Sequence, residues 1–198
     1  MARRTFFSFH YKPDVTRAQV VKRSQLVKDR EDAGFLDSSA FEEAQRKDPD
    51  SLKRFLRKEM EGASVVCALV GTETAMRRWV RFEIMQGIWD ERGILGIRIH
   101  TIANLKQMTA TAGPNPFDLL GVYVNDKKMY FTERASSSEK WTYTTDFGKK
   151  ILPKWAYGPI PSNGIHPLSG FFPLKSWSST AHNDIADWIE SAAKKANR

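Results

Sequence analysis

The stretch from Val65 to Ile99, VVCALVGTETAMRRWVRFEIMQGIWDERGILGIRI, decides the fold. Its apolar start, Val65 to Val70, reads as a buried strand that Gly71-Thr72 ends. A helix carrying Trp79 and Glu83 one turn apart comes next, and a second apolar strand runs from Ile94 to Ile99. That is a β-α-β unit. Such crossovers are right-handed and set the helix on one face of a parallel sheet, so the loops leaving the carboxyl ends of the strands line the usual ligand crevice. At about 100° per helical residue, Val80, Ile84 and Ile88 form one stripe toward the sheet, while Trp79 and Glu83 lie together on its shoulder. A helix glutamate is usually solvated and a helix tryptophan usually packs, so on residue types alone the pair is only a candidate site.

Upstream, Arg4 to Phe9 (RTFFSF) reads as a first strand and the polar His10 to Asp14 as a loop, with Asp14 or Thr16 capping a helix to about Asp29. Phe35-Leu36 follows Gly34 as a very short second strand, and Asp37-Ser38-Ser39 opens a polar loop or cap. Asp48 to Ser51 starts a helix that spaces Leu52, Phe55, Leu56 and Met60 on one face before Gly62 ends it. This alternation of strand and helix predicts an α/β fold, a doubly wound parallel sheet of flavodoxin-like type. Downstream, Val122-Tyr123-Val124, Met129-Tyr130-Phe131 and Trp141-Thr142-Tyr143 read as the strands of a β-meander. The Pro- and Gly-rich segment 153 to 176 reads as irregular surface chain, and Ser179 to Lys195 as a terminal helix with Ile185, Trp188, Ile189 and Ala192 on one face. The expected organisation is a domain over residues 1 to 121 and an extension, 122 to 198, packed on the same core.

With 198 residues, 41% of them hydrophobic, and a mean hydropathy of -0.49, the chain has the composition of a soluble protein with one core. No apolar run approaches the roughly 20 residues that span a bilayer, and MARRTFFSFHY lacks the apolar core of a signal peptide, so a cytoplasmic protein is expected. Cys67, the single cysteine, sits in an apolar run as a small hydrophobe. The net charge of +8 raises nucleic acid, anionic lipid and phosphate-bearing ligands as partners. The basic residues fall on many elements, however, so neither nucleic acid nor membrane is the expected partner. His10, His100, His166 and His182 are far apart and show no metal-ligand spacing, and the Walker, Gly-x-Ser-x-Gly and Gly-x-Gly-x-x-Gly motifs are absent. Gly71-Thr72 is the one small-residue turn in a phosphate-favouring place.

The runs FFSFH, FLDSSAFE, VVCALVGTETAMRRWVRFEI, ILGIRIH and GPNPFD resemble the TIR-like domain of the bacterial Thoeris antiviral systems, the ThsB family. The resemblance covers about residues 3 to 121 and is densest from Val65 to His100. It implies the flavodoxin-like sheet of TIR domains and an enzyme that cleaves NAD at the nicotinamide-ribose bond. The product would be a cyclic or modified ADP-ribose second messenger that activates a separate effector, with NAD as substrate and no cofactor. The family's Trp-Val-x-x-Glu pattern is matched by Trp79 and Glu83, which makes Glu83 the expected catalytic residue. The switch-point rule adds Phe9, His10, Asp37, Ser38 and Thr72 to the same crevice as substrate-binding candidates beside Trp79. Four of these have a plainer reading: Phe9 as core, His10 as loop, Asp37 as helix cap, Trp79 as packed support for Glu83. The resemblance also implies self-assembly on activation and a phage-derived trigger. A TIR-like module that assembles without catalysis is the alternative.

Overall fold

The structure, a computed structural model, describes residues 3–24, 48–178 and 180–198. Strand β1 (Thr5–Phe9) leads into helix α1 (Tyr11–Arg23), and helix α2 (Pro49–Glu59) precedes strand β2 (Val65–Val70). Helix α3 (Arg78–Trp89) then connects β2 to strand β3 (Gly93–Arg98). The expected short strand at Phe35-Leu36 lies outside the described residues, as do Asp37 and Ser38.

β1, β2 and β3 pair in parallel, Phe7 beside Cys67 and Cys67 beside Leu95. The strand β8 (Leu174–Ser176) adds to β3, also in parallel, giving the order β1-β2-β3-β8. Side chains of β2 alternate between two cores: Val66, Ala68 and Val70 join Leu52, Leu56 and Ile84 on one face of the sheet. Val65, Cys67 and Leu69 join Ala18 and Val21 of α1 and Ile185 and Ile189 of the terminal helix α5 (Ala181–Lys195) on the other. A fully buried parallel strand reads as a continuous apolar run because both faces are covered, and VVCALV does.

The chain after β3 builds a second layer. A short helix α4 (Pro116–Leu119), capped by Asn115 through the Phe117 amide, leads into β4 (Leu120–Asn125), β5 (Lys128–Glu133), β6 (Thr142–Tyr143) and β7 (Gly164–Pro167). These form an antiparallel sheet in the order β6-β5-β4-β7. Its inner residues Val122, Val124, Met129 and Phe131 lie in the same core as Ile84 and Ile88. Thus α3 is clamped between the sheets, with Phe82 stacked on Phe147 at 5.6 Å and Trp89 against Phe131 at 6.4 Å.

Two local expectations are corrected. The loop read at His10 to Asp14 is the first turn of α1, with His10 as N-cap and the Asp14 amide bonded to the His10 carbonyl at 3.2 Å. Pro13 is tolerated there because the first-turn amides have no intrahelical acceptor, so its missing N–H removes nothing. The Pro- and Gly-rich segment 153 to 176 is not irregular throughout, since it supplies β7 to one sheet and β8 to the other. Both are edge strands, the place where neighbouring prolines are compatible with a sheet. Among the described residues no helix is long and apolar enough to cross a membrane.

Candidate active site

Glu83 is 3% exposed and points from α3 to the carboxyl end of β1, where Ser8, fully buried, donates its hydroxyl to Glu83 Oε2. Local sequence explains the meeting. Phe6 faces the core that holds α3, and a strand period of two puts Ser8 on that same face. Glu83 thus faces the sheet and not the open shoulder of the helix. Every residue from Val80 to Ile88 is buried, since the second sheet and α2 cover the sides of α3 that would otherwise meet solvent. Burial pushes the Glu83 carboxyl up to about 8, against the Ser8 hydrogen bond that pulls it down. Oε1 makes no hydrogen bond among the described residues. One oxygen is thus anchored by Ser8, and the other has no partner among the described residues.

Phe9 and His10 continue from Ser8 to the edge of the sheet. The Phe9 ring stacks on Tyr11 with centroids 6.0 Å apart, and His10 Nδ1 lies 3.6 Å from Glu73 Oε2. Burial, then the Arg77 charge, hold His10 below its ordinary value, so its imidazole is neutral at neutral pH. Glu73 is in turn paired with Arg77. Thr72, exposed in the turn after β2, donates to the Thr111 carbonyl at 2.7 Å. Phe9, His10 and Thr72 accordingly lie at the carboxyl ends of β1 and β2, as the switch-point rule places them. Trp79, half-buried, packs edge-on against Phe82 at 6.0 Å and carries the Arg78 guanidinium 4.7 Å above its ring. Those contacts turn it toward the second sheet as packed support. Arg78 is itself held by Asp146 at 2.7 Å.

Three buried polar residues beside this edge were not read as site residues, Asp14 being expected only as a helix cap. Asp14 (2% exposed), Arg17 (4%) and Thr74 (fully buried) tie α1 to the turn after β2. Thr74 Oγ1 accepts the Gly71 amide at 2.9 Å, and Arg17 donates to the carbonyls of Ile102 and Pro13, each at 2.9 Å. A Cβ on Gly71 would sit 2.1 Å from Asp14 Oδ2, so the chain needs glycine at the end of β2. The i,i+3 spacing of Asp14 and Arg17 was a weak signal; Thr74 gave none. Among the described residues no cluster of His, Cys, Asp and Glu could hold a metal ion.

Residues 6–104 match the family described as "Thoeris protein ThsB, TIR-like domain". A protein of Bacillus cereus (strain MSX-D12) named "Putative cyclic ADP-D-ribose synthase ThsB1" is 33% identical over 198 residues, covering 96% of this chain and 100% of that protein.

Proposed function

The chain belongs to the Thoeris ThsB family of TIR-like proteins, and we propose that it cleaves the nicotinamide-ribose bond of NAD with Glu83 as its catalytic carboxylate. It forms a cyclic or otherwise modified ADP-ribose that acts as a signal to a separate effector. The observation that carries this reading is the buried Glu83 at the carboxyl end of β1, anchored at Oε2 by Ser8. It is supported by the whole-length likeness to a protein named as a cyclic ADP-D-ribose synthase.

The chemistry suits a site with one carboxylate. When the bond from C1′ to the pyridinium nitrogen breaks, its electron pair neutralises the ring, and nicotinamide departs without needing a proton, unlike the leaving group of an ordinary glycoside. What remains is positive charge on the ribose, which a carboxylate stabilises strongly in a water-poor site. Glu83 holds its proton at neutral pH in the free protein, given its elevation to about 8. The approaching pyridinium cation favours the ionised form, so substrate binding and carboxylate ionisation are coupled. Phe9, His10 and Thr72 at the strand ends are the substrate-binding residues of this reading, Trp79 supports the helix that carries Glu83, and Asp37 and Ser38 complete the proposed set. NAD is a substrate here and no cofactor takes part. The protein works in the cytoplasm, where NAD is abundant, with self-assembly and a phage-derived trigger bringing it to full activity.

Nicotinamide release and the mass spectrum of the nucleotide products, followed with the purified chain alone and with lysate of phage-infected cells, test the assignment. Glu83→Gln is expected to lower turnover by roughly 10²-fold or more, the scale seen when a transition-state charge partner is removed. Undiminished product formation by that variant would overturn the role of Glu83.

A further inference from the structure

The outer face of the second sheet has no part in the site described above, and its composition is unusual for a solvent-facing surface. Tyr123 pairs with Tyr130 on one side and Ile165 on the other, while Tyr130 bridges to Ile151. Across four chain segments this makes one row of large side chains on the face opposite the buried Val122, Val124 and Phe131. Tyr143, from β6, packs edge-on against both Tyr123 (6.3 Å) and Tyr130 (5.9 Å). Tyr143, Ile151 and Ile165 are 38%, 49% and 43% exposed. The hydroxyls of the three tyrosines make no hydrogen bond among the described residues.

Charge around this face is one-sided. Lys128 shares the outward register of Tyr130, and Lys149 Nζ lies 5.4 Å over the Tyr143 ring. Lys127, Lys140 and Lys150 are exposed and adjoin these strands and Ile151 in sequence, and among the described residues none of these five lysines is in an ion pair. The nearby acids are largely committed elsewhere, Glu133 to Arg81 at 3.1 Å and Asp146 to Lys53 and Arg78. Of the acids in the described residues 120–170, that leaves Asp126 and Glu139 to offset the five.

We propose that this face docks an acidic polypeptide segment of another protein, one that presents apolar anchor side chains flanked by Asp or Glu. The row from Ile165 to Ile151 takes the anchors, and the tyrosine hydroxyls and lysine ammonium groups receive the carboxylates, which accept hydrogen bonds from both. Interfaces concentrate binding energy in such clusters of tyrosine and tryptophan inside a polar rim. A second copy of this chain is a poorer occupant, because a two-fold contact would set the lysines of one face against the same lysines of the other. Single-stranded nucleic acid is poorer too. The tyrosine rings meet one another edge to face, so they offer no open platform for a base, and both ends of the row are aliphatic.

Panning a library of short random peptides against the full-length chain, by ribosome display, tests the proposal. Enriched peptides are expected to pair an aliphatic or aromatic anchor with two or more acidic residues. They should bind roughly tenfold more weakly to Tyr130→Ser/Tyr143→Ser and to Lys128→Glu/Lys149→Glu, the size of effect expected for interface anchors. Unchanged melting temperatures in both variants confirm that the fold is intact. Enrichment without acidic residues, or equal binding by the variants, overturns the proposal. So do two other results: oligo(dT) binding that both variants abolish, which would make the face a nucleic-acid site, and a dimer in sedimentation that they dissociate, which would make it a self-contact.

Discussion

Glu83 is the residue where stability and reactivity oppose one another. Its carboxyl rises from 4.5 to about 8 because folding strips it of water, and the Ser8 hydroxyl offsets only part of that. Below pH 4.5 the group is protonated in both folded and unfolded chains and costs nothing. Between 4.5 and about 8 the unfolded chain has released the proton and the folded one has not, so stability falls as pH rises, levelling off above the folded value. Glu83→Gln removes this slope. In urea unfolding at about pH 5 and about pH 9, the variant should gain on the parent at the higher pH by an amount on the order of a few kcal/mol. An identical pH dependence for both chains would mean that Glu83 is solvated. At this scale the site was half legible. Glu83 and Trp79 stood out through the family pattern and their place after a central strand, but Ser8 entered only as one polar residue inside FFSF. Its meaning depends on which face of β1 meets α3, and that is a fact of packing between segments about 75 positions apart.

α3 shows how an element's neighbours override its own periodicity. Its stripe of Val80, Ile84 and Ile88 faces the sheet as the 3.6-residue repeat predicts, yet Arg81 and Phe82 are buried as well, against Glu133 of β5 and Phe147, and so is Gln86, which accepts from Arg57 of α2. The meander strands were legible from alternation. β8 was not, since two half-buried residues and an exposed serine in a proline-rich segment carry too short a pattern to read. The fit of β3 against α5 is equally invisible in sequence. A Cβ on Gly93 would stand 2.5 Å from the Ala192 carbonyl oxygen, a backbone atom that can yield only if the helix moves. Gly93→Ala is therefore expected to cost about 1–3 kcal/mol, the usual penalty of overpacking. Gly170→Ala, with no atom within 4 Å of its added Cβ, is the control and should stay within about 0.5 kcal/mol of the parent. Denaturant midpoints measured side by side decide it, and equal midpoints would show that α5 does not press on β3.

For the whole molecule, the strands at the two ends of the sequence belong to one sheet. β1 opens it, β8 is its far edge, and α5 covers the face on which Cys67, Leu95 and Ile97 lie. Arg3 reaches Glu190 at 2.9 Å, so the first described residue is fastened to the last helix. The family match ends at residue 104 and the readable resemblance near 121, but neither point is a place where the physical core ends. Ending the chain after Gly121 would strip away Ile185 and Ile189, both within the second core. Burying two such side chains is worth about 3–6 kcal/mol, which is comparable with the entire net stability of about 5–15 kcal/mol of a domain. The same cut leaves Val122, Phe131 and Phe147 missing from the outer side of α3, so the helix that carries Glu83 loses the cover that keeps the carboxylate dry. A chain of residues 1–121 is thus expected to aggregate or to lack a cooperative thermal transition by circular dichroism, while the full chain unfolds in one step. A soluble fragment with a sharp transition would show that the first three strands and their helices suffice, and that the second sheet and α5 are additions to an independent core.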